Sequence, residues 1–316
     1  MTILLLVSNI GPDRRTALAH APGRYGAPAP CQTAAQPEAP TAPARTPTTG
    51  EVAPEAMNIV VCVKQVPDSW AEKKLQPTDR TLDRESADAV MNELDEYAVE
   101  EALRLSEANE GSTVTILTMG PEKAGETVRK ALSMGADAGV LVVDEALHGS
   151  DAVATSLVLA KALGTVPWDL VILGTESTDA RMSVVPAMLA ERLGAPQLTF
   201  AQKVDVAGTT VTVQRQTEYG YDTVEASMPA LISVVEKINE PRYPSFKGIM
   251  AAKKKPVTTL SLADLGVDAG AVGLAGAWSG VEDFAQRPPR QAGTIVKDEG
   301  DGGLKLAEYL ATSKFI

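Results

Sequence analysis

The strongest constraint on the fold is a regular alternation of short apolar runs and amphipathic helices between residues 59 and 194. Each run is rich in Val, Ile and Leu and too short for a helix, which is typical of strands buried on both faces. Strands that alternate with helices in this way indicate a parallel sheet covered by helices on both faces. The predicted strands are 59–63, 114–118, 139–143 and 170–173, and the predicted helices are 95–108, 122–133, 152–163 and one that ends at Gly194.

The last strand–helix unit, Asp169–Gly194, places a polar loop directly after its strand. The loop Thr175–Asp179 carries hydroxyl and carboxylate groups at the carboxyl end of the strand, where open α/β sheets bind ligands. We expect Gly174 to let a ligand approach the backbone, and the hydroxyls to join the free N–H groups of the helix in holding an anion. An ordinary strand–helix connection with a good cap is the alternative. The helix is predicted from residues at helical spacing, Met182, Val185, Leu189 and Leu193, and from Gly194 at its end.

Local patterns give three further predictions within these units. Pro67 is expected to force residues 64–68 into an open loop. Glu100 and Glu101 of the first helix are expected to lie partly outside the core. Ser150 and Asp151 are predicted to cap the helix 152–163.

The pattern changes to strands alone after residue 194. Apolar residues predict strands over 202–206, 210–216, 223–226 and 231–235, which we interpret as an antiparallel hairpin and meander at the edge of the sheet. A Gly-rich linker at 266–280 and a last helix near 303–312 follow. The fold class is therefore α/β, with a mostly parallel sheet, helices on both faces, antiparallel edge strands and an extended C-terminal arm.

The first 56 residues differ from the rest in composition. They are rich in Ala, Pro and Thr and lack a sustained apolar period, so we predict a disordered extension, which a misassigned start would explain. The folding information begins at Met57. We expect three regions: the extension 1–56, an α/β nucleotide-binding domain 57–256, and a C-terminal arm 257–316.

Composition excludes several classes of function. A net charge of −12 argues against nonspecific binding of nucleic acid and against a basic membrane-surface protein. Two cysteines and two histidines offer neither a disulfide framework nor a metal cluster, and no apolar run is long enough for membrane insertion. The P-loop, GxGxxG, GxSxG and CxxC patterns are all missing from the sequence, as is a nucleophile–base pair. The residues alone predict a ligand-sized crevice and no reaction.

Residues 239–255, which we name the docking segment, interrupt this acidic chain with positive charge. Six basic residues and one acidic residue lie between Lys237 and Lys255. Two prolines and a glycine surround Tyr243 and Phe246, which suggests that Phe246 is held out on a constrained turn, with helix resuming at Ile249. A single exposed aromatic can dominate a small, transient interface. The alternative is that Phe246 packs back onto the sheet and the lysines only solubilise the surface.

Five motifs in one order resemble the beta subunit of electron-transfer flavoprotein. They are VCVKQVPD (61–68), MNELDEYAVEEAL (91–103), TMGPEKAGETVRKALSMGAD (118–137), LVILGTESTD (170–179) and NEPRYPSFKGIMAAKKK (239–255). The last is the most diagnostic, because generic α/β folding does not require it. The resemblance covers the chain from Met57 to its end.

The resemblance implies an electron carrier subunit and not an enzyme. In this family a larger alpha subunit holds most of an FAD, while the beta subunit buries an AMP and closes over the flavin. The complex takes electrons from acyl-CoA dehydrogenases and other flavin dehydrogenases of fatty acid oxidation, and passes them through a quinone oxidoreductase toward the quinone pool. A cytoplasmic location and a C-terminal arm that packs on the alpha subunit are implied as well.

The resemblance also assigns residues to the AMP pocket, all at strand ends or helix starts, as the crevice rule requires, and further residues to docking. Leu94 corresponds to a side chain that packs toward the flavin, and Phe246 to the apolar anchor for the dehydrogenase, with Tyr243 and Lys247 beside it. By residue type alone, Cys62 would be a small buried core residue. The implied cofactor-binding residues are Cys62, Asn92, Glu93, Leu94, Asp95, Met119, Gly174, Thr175, Glu176, Ser177, Thr178, Asp179, Ala180, Arg181, Met182, Ser183, Val184 and Val185.

The chain departs from the family pattern at residues 180–186, where the family often has a Thr-Gly pair and small residues. Ser183 and Arg181 can still donate hydrogen bonds to a phosphate, whereas Met182 is expected to narrow the pocket. Two function classes follow: the electron carrier subunit, and a stand-alone AMP- or ATP-binding α/β module of the stress-protein type. The docking segment and the C-terminal arm favour the first, because a lone module has no use for them.

Overall fold

The computed structural model describes residues 7–9, 56–285, 293 and 295–315. The predicted disordered extension falls mostly outside these residues. Within it, Val7–Asn9 form a short strand that pairs antiparallel with Ser279–Val281. The described residues up to 282 belong to one compact unit, and the described residues from 283 onward belong to a second.

The first unit is built on a nine-stranded sheet. Its strands lie in the order β7-β6-β5-β8-β4-β1-β2-β3-β9. The strands are β1 (Asn58–Cys62), β2 (Thr113–Met119), β3 (Ala138–Val142), β4 (Leu170–Gly174), β5 (Gln197–Ala207), β6 (Thr210–Thr217), β7 (Gly220–Ser227), β8 (Ala230–Val234) and β9 (Val257–Leu260).

The predicted α/β class is confirmed, because β1, β2, β3, β4, β8 and β9 run parallel to their neighbours and only the β5–β6–β7 ribbon is antiparallel. The interpretation of residues 231–235 as part of an edge meander is wrong. Strand β8 inserts between β4 and β5, parallel to both, with Ile232 opposite Ile172 and Leu198. All five of its residues are buried, as expected of a strand covered on both faces.

Alternate residues of the central strands lie on opposite faces of the sheet and belong to two separate hydrophobic cores. Ile59 and Val61 face α1 and α2, whereas Val60 and Cys62 face α3 and α4. Asp151 caps α3 as predicted, by accepting a hydrogen bond from Ala154 N at 2.9 Å. The helices are α1 (Glu93–Ala108), α2 (Gly125–Met134), α3 (Ala152–Leu163), α4 (Val185–Leu193), α5 (Phe246–Ala252), α6 (Gly273–Gly276) and α7 (Gly302–Thr312).

Two other local predictions are corrected. Residues 65–67 form a short strand that pairs antiparallel with Ala89–Met91, because Pro67 lies at its last position and donates no ladder hydrogen bond. The expected linker at 266–280 contains a 3₁₀ turn and α6, and Val272 within it is fully buried. Strand β9 pairs with β3, so residues 257–282 pack on the sheet of the first unit.

None of the helices in the described part of the chain is long and apolar enough to cross a membrane.

Candidate functional site

The crevice predicted from the sequence lies where three neighbouring strands end. Strands β4, β1 and β2 are adjacent and parallel, and they end at Gly174, Cys62 and Met119. The chain proceeds from β1 outward through β2 and β3 and then returns to the other side of β1 with β4. Such a reversal of strand order opens a crevice at the carboxyl ends of the two strands. The structure therefore brings the three strand-end residues of the predicted site together.

Gly174 is a position of close approach, but its neighbour is the protein itself. A Cβ atom at this position would lie 2.6 Å from Asp95 Oδ1 and 2.7 Å from Leu94 Cβ. The start of α1 therefore fills the space beside Gly174. The absence of a side chain at this position is therefore required by α1, and the approach of a ligand to the Gly174 backbone stays a prediction.

Asp95 joins the ends of β1 and β4. Its carboxylate accepts hydrogen bonds from Lys64 N at 2.7 Å and from Gly174 N at 3.1 Å. Burial raises the pKa of Asp95 to about 7, although these hydrogen bonds oppose the rise. This carboxylate is buried and its oxygens already accept hydrogen bonds from the backbone, so its role is to hold the ends of the two strands in place.

Asn92 holds the polar loop after β4 in the same way. Its Nδ2 donates to the carbonyl of Glu176 at 2.9 Å, and its Oδ1 accepts from Thr178 N at 3.0 Å. Both polar ends of this buried side chain are therefore used on the loop backbone. The predicted site residues Asn92 and Asp95 position the loop through their side chains.

Asp179 closes the loop onto the segment that follows β1. Its carboxylate contacts Lys64 Nζ at 2.7 Å and Arg84 at 2.9 Å, and its side chain is 1% exposed. Burial disfavours the ionised form, but Lys64, Ser177 and Arg84 outweigh burial and lower the pKa of Asp179 to about 2. Lys73 adds a hydrogen bond to the carbonyl of Thr178 at 2.5 Å. Residues 174–179 are thus held in one conformation by the chain itself.

Sequence reasoning missed these cations, Lys64, Lys73 and Arg84. Lys64 lies in the VCVKQVPD motif, directly after a strand end, and that place in the motif was the available signal. The other two follow on the connection to α1, 105 and 95 residues from their partners Thr178 and Asp179. No local pattern relates residues so far apart.

The second half of the loop contains strained backbone. Arg181 and Ser183 have φ values of 50° and 54°, which lie in the left-handed region that residues other than glycine rarely adopt. Ser183 Oγ donates to Glu176 Oε2 at 3.0 Å, and Arg181 lies 3.7 Å from the same carboxylate. Met182, which was predicted to start the helix, precedes α4 and is exposed. The expected narrowing of the pocket by Met182 stays a prediction.

Two features of the loop leave hydrogen-bonding groups for a ligand. Thr178 Oγ1 is buried and has no partner in the part of the chain that the structure describes. No described side chain caps the first turn of α4, where Pro186 also removes one N–H donor. Four cations lie around the loop: Lys64 and Arg84 contact Asp179, Lys73 donates to the carbonyl of Thr178, and Arg181 lies near Glu176. An anion with hydroxyl groups fits this set of donors.

The other predicted cofactor residues lie around the loop. Cys62 is buried, and burial together with nearby Asp95 raises the pKa of its thiol far above the usual value, so the thiol is neutral. Leu94 is half-buried at the first turn of α1, and the exposed Glu93 beside it accepts a hydrogen bond from Ser69. Thr175 bonds the carbonyl of Val234 through its hydroxyl. No group of ligands for a metal ion occurs among the described residues.

The docking segment presents its aromatic residues to solvent. Tyr243 is 95% exposed and Phe246 is 81% exposed. The expectation of a constrained turn with helix from Ile249 is corrected, because α5 begins at Phe246 and Ser245 caps it by accepting from Gly248 N at 3.0 Å. Phe246 therefore stands on the first turn of a helix, and the alternative in which it packs back onto the sheet is excluded.

Comparison with known proteins gives one consistent result. The family model for the electron transfer flavoprotein domain matches residues 79–265. The chain is 55% identical to the electron transfer flavoprotein subunit beta of Mycobacterium bovis, with 82% of this chain and 99% of that protein covered. It is 54% identical to the Mycobacterium leprae subunit over the same shares. It is also 38% identical to a caffeyl-CoA reductase-Etf complex subunit, CarD, of Acetobacterium woodii, with 69% of this chain and 83% of that protein covered.

Proposed function

The chain belongs to the electron transfer flavoprotein family, among its beta subunits, and from this premise we propose which cofactors, partners and route it serves. With an alpha subunit it forms a cytoplasmic complex that accepts electrons from acyl-CoA dehydrogenases and other flavin dehydrogenases. The complex delivers them through a quinone oxidoreductase toward the quinone pool. The family match, in which 99% of the Mycobacterium bovis subunit is covered, carries this proposal.

The crevice at the end of β1 and β4 is the site for an AMP. The loop from Gly174 to Val185 surrounds the phosphate and ribose, with the segment Asn92–Asp95, Cys62 and Met119 on the other sides. The buried hydroxyl of Thr178 and the cations gathered around the loop support a phosphate-bearing ligand with hydroxyl groups. Since the side chains of Asn92 and Asp95 are used on the loop, their backbone and the loop itself face the nucleotide.

An FAD held mostly by the alpha subunit supplies the redox chemistry, because a flavin accepts and releases electrons singly or in pairs. This chain contributes position and shielding. Leu94, at the first turn of α1, would pack toward the flavin, and the loop beside it would exclude water from that side. Exclusion of water keeps the environment of the ring fixed while electrons pass.

The C-terminal unit is proposed to pack on the alpha subunit. Helix α7 carries three large apolar side chains that are exposed, namely Leu304, Leu306 and Tyr309. Large apolar side chains gathered on one exposed helix mark a surface for a protein partner. The residues from 283 onward are the part of the proposed arm to which this applies.

Phe246 is proposed as the anchor that seats in a pocket of the dehydrogenase, with Tyr243 and Lys247 beside it. The support is its exposure on the first turn of α5 and the positive charge around it in an acidic chain. An exposed aromatic anchor gives the affinity, while the charges act on the rate of encounter.

Co-expression with the alpha subunit tests the proposal directly. We expect a yellow heterodimer that releases FAD and AMP in equal amounts on heating, with both identified by mass. A colourless protein that folds alone and carries AMP or ATP would instead establish the stand-alone nucleotide-binding module. A yellow complex without AMP would retain the electron-carrier function and remove AMP from the crevice.

A further inference from the structure

Arg242, in the docking segment, is tied to helix α1 by a double fork. Its guanidinium donates to both carboxylate oxygens of Glu100, at 2.8 and 2.9 Å, and to both of Glu107, at 2.5 and 3.1 Å. Its backbone N–H also donates to Glu100 at 3.1 Å. One side chain thus spans two turns of α1, and a planar guanidinium is the group that can make two such bidentate contacts.

The carboxylates beneath the docking segment are unusually buried. The Glu100 side chain is 7% exposed and that of Glu101 is 6% exposed, although both were expected to lie partly outside the core. Asn239 donates to Glu101 at 2.9 Å and to the carbonyl of Tyr97 at 3.0 Å. Burial raises the pKa of Glu101 even so. Buried carboxylates are costly without partners, so these contacts bind the docking segment to α1 and cannot be exchanged freely for water.

Helix α1 connects the two functional ends of the chain. Its first turn follows Asn92 and includes Asp95, and these two side chains hold the loop that follows β4. Its middle and last turns hold Asn239 and Arg242. The helix has 16 residues, which is about 24 Å at 1.5 Å per residue. A rigid helix of this length fixes where the docking segment lies relative to the flavin-side crevice.

We propose that Arg242 is a positioning residue, which fixes the docking segment on α1 through Glu100 and Glu107 so that Phe246 is already in place when a dehydrogenase arrives. The inference rests on the proposed docking function of Phe246. Without the hydrogen bonds from Arg242 to Glu100 and Glu107, the docking segment adopts other conformations as well. The apparent affinity for the dehydrogenase is then reduced in proportion to the fraction of molecules whose docking segment is in the binding conformation.

The variants must distinguish a change in the position of the docking segment from a loss of folding. Arg242→Gln leaves Glu100 buried without its cation, so the paired variant Arg242→Gln/Glu100→Gln removes both charges together. Arg242→Lys keeps the charge but loses the fork. Lys161→Gln is the control, because it removes an exposed cation from α3, which packs on the other face of the sheet. All variants are prepared as complexes with the alpha subunit, and their FAD content and thermal unfolding are recorded.

Hydrogen exchange of the amides of residues 243–252 is the first measurement. Both the single and the paired variant are expected to exchange there about tenfold faster, while Lys161→Gln should exchange at the unchanged rate. The second measurement is reduction of the complex by a medium-chain acyl-CoA dehydrogenase supplied with octanoyl-CoA. The apparent KM for the complex is expected to rise about tenfold with little change in kcat, and Arg242→Lys should give an intermediate KM. Reduction by dithionite should not change.

Two results would overturn the inference. Unchanged exchange at 243–252 would mean that other contacts hold the segment. Faster exchange with an unchanged KM would mean that its order does not matter for docking. Phe246→Ala distinguishes the positioning role of Arg242 from the docking function of Phe246. If Phe246→Ala slows dehydrogenase-coupled reduction while the Arg242 variants do not, only the positioning role is wrong. If Phe246→Ala has no effect either, the docking function is wrong.

Discussion

The carboxylate of Asp95 occupies the space that a side chain at Gly174 would need. Oδ1 accepts a hydrogen bond from Gly174 N at 3.1 Å, and a Cβ added at residue 174 would lie 2.6 Å from the same oxygen. The end of β4 and the start of α1 are therefore fitted to each other directly. This contact places the loop 174–185, because that loop leaves β4 at Gly174.

Gly174→Ala is expected to destabilise the fold whether or not a nucleotide is bound. The added methyl group would meet the Leu94 backbone at 2.9 Å as well as Asp95, and neither can move without displacing α1. Overpacking of this kind typically costs about 1–3 kcal/mol, which urea unfolding of the chain would measure. Gly303→Ala is the control, since a Cβ there meets nothing within 4 Å. Equal stability of the two variants would show that α1 yields easily.

The stability of the chain should fall as the pH rises through neutrality, and Asp95 is the cause. Its pKa is raised from 3.8 to about 7 in the folded state, so folding favours the protonated form. The contribution is fully present below the unfolded pKa and is lost as the pH rises through 7. A shift of this size corresponds to about 4 kcal/mol as an upper figure. Glu101, whose pKa is also raised by burial, acts in the same direction.

Asp95→Asn removes the titrating group and tests that assignment. We expect the difference in free energy of unfolding between pH 5 and pH 8 to shrink in the variant, measured by urea unfolding at both values. The absolute stability of the variant is not the readout, because its amide N–H would face the N–H donors of Lys64 and Gly174. A pH dependence identical to that of the unsubstituted chain would assign the effect to other groups.

The cations around Asp179 should behave non-additively. Lys64→Met and Arg84→Met each leave the buried carboxylate with one cation and should cost about 1 kcal/mol each. The double variant leaves a buried charge with neither cation and should cost about 3 kcal/mol or more. Urea unfolding of the four proteins of this cycle measures the coupling. Lys203→Met, at an exposed pair with Asp205, is the control and should change little. Simple additivity would indicate that water reaches Asp179.

Much of the fold could be predicted because its signals are local. The apolar runs of β1 to β4 and the Asp151 cap need only neighbouring residues to identify them. The place of β8 could not be predicted in this way, since its position between β4 and β5 depends on pairing with strands far along the chain. An all-apolar strand after a hairpin looks the same at an edge as in the centre.

The strand ends of the candidate site could be predicted from the sequence, whereas the contacts that hold its loop could not, for the same reason. Strand ends locate Cys62, Met119 and Gly174, whereas the partners of Asp179 and Glu100 lie 95 to 142 residues away. Glu100 looked solvent-facing because acidic residues usually are, and only Arg242 makes its burial tolerable. Residue types predict which groups can bind, but they do not predict which of them the chain uses on itself.

Phe246→Ala tests the docking anchor. Truncation of a central aromatic anchor typically costs about 2 kcal/mol or more, which is roughly thirtyfold in affinity. Since Phe246 is 81% exposed at the first turn of α5, its loss should leave the fold, the FAD content and the flavin spectrum unchanged. Dehydrogenase-coupled reduction of the flavin should slow severely, while chemical reduction should not. Lys247→Gln should act mainly on the encounter rate, and so on its dependence on salt.

Tyr219→Ala is the matched control, because Tyr219 is an aromatic residue with 97% exposure on the β6–β7 hairpin, outside the docking segment. Its loss should change neither reduction rate. A fall in both rates for Phe246→Ala would make Phe246 a structural or flavin-side residue. A fall in neither would make α5 a solvated surface, and the partner would then have to bind elsewhere. Slowing confined to the dehydrogenase reaction and to Phe246 is the result that a docking anchor requires, since only an interface residue can alter the encounter and leave the cofactor untouched.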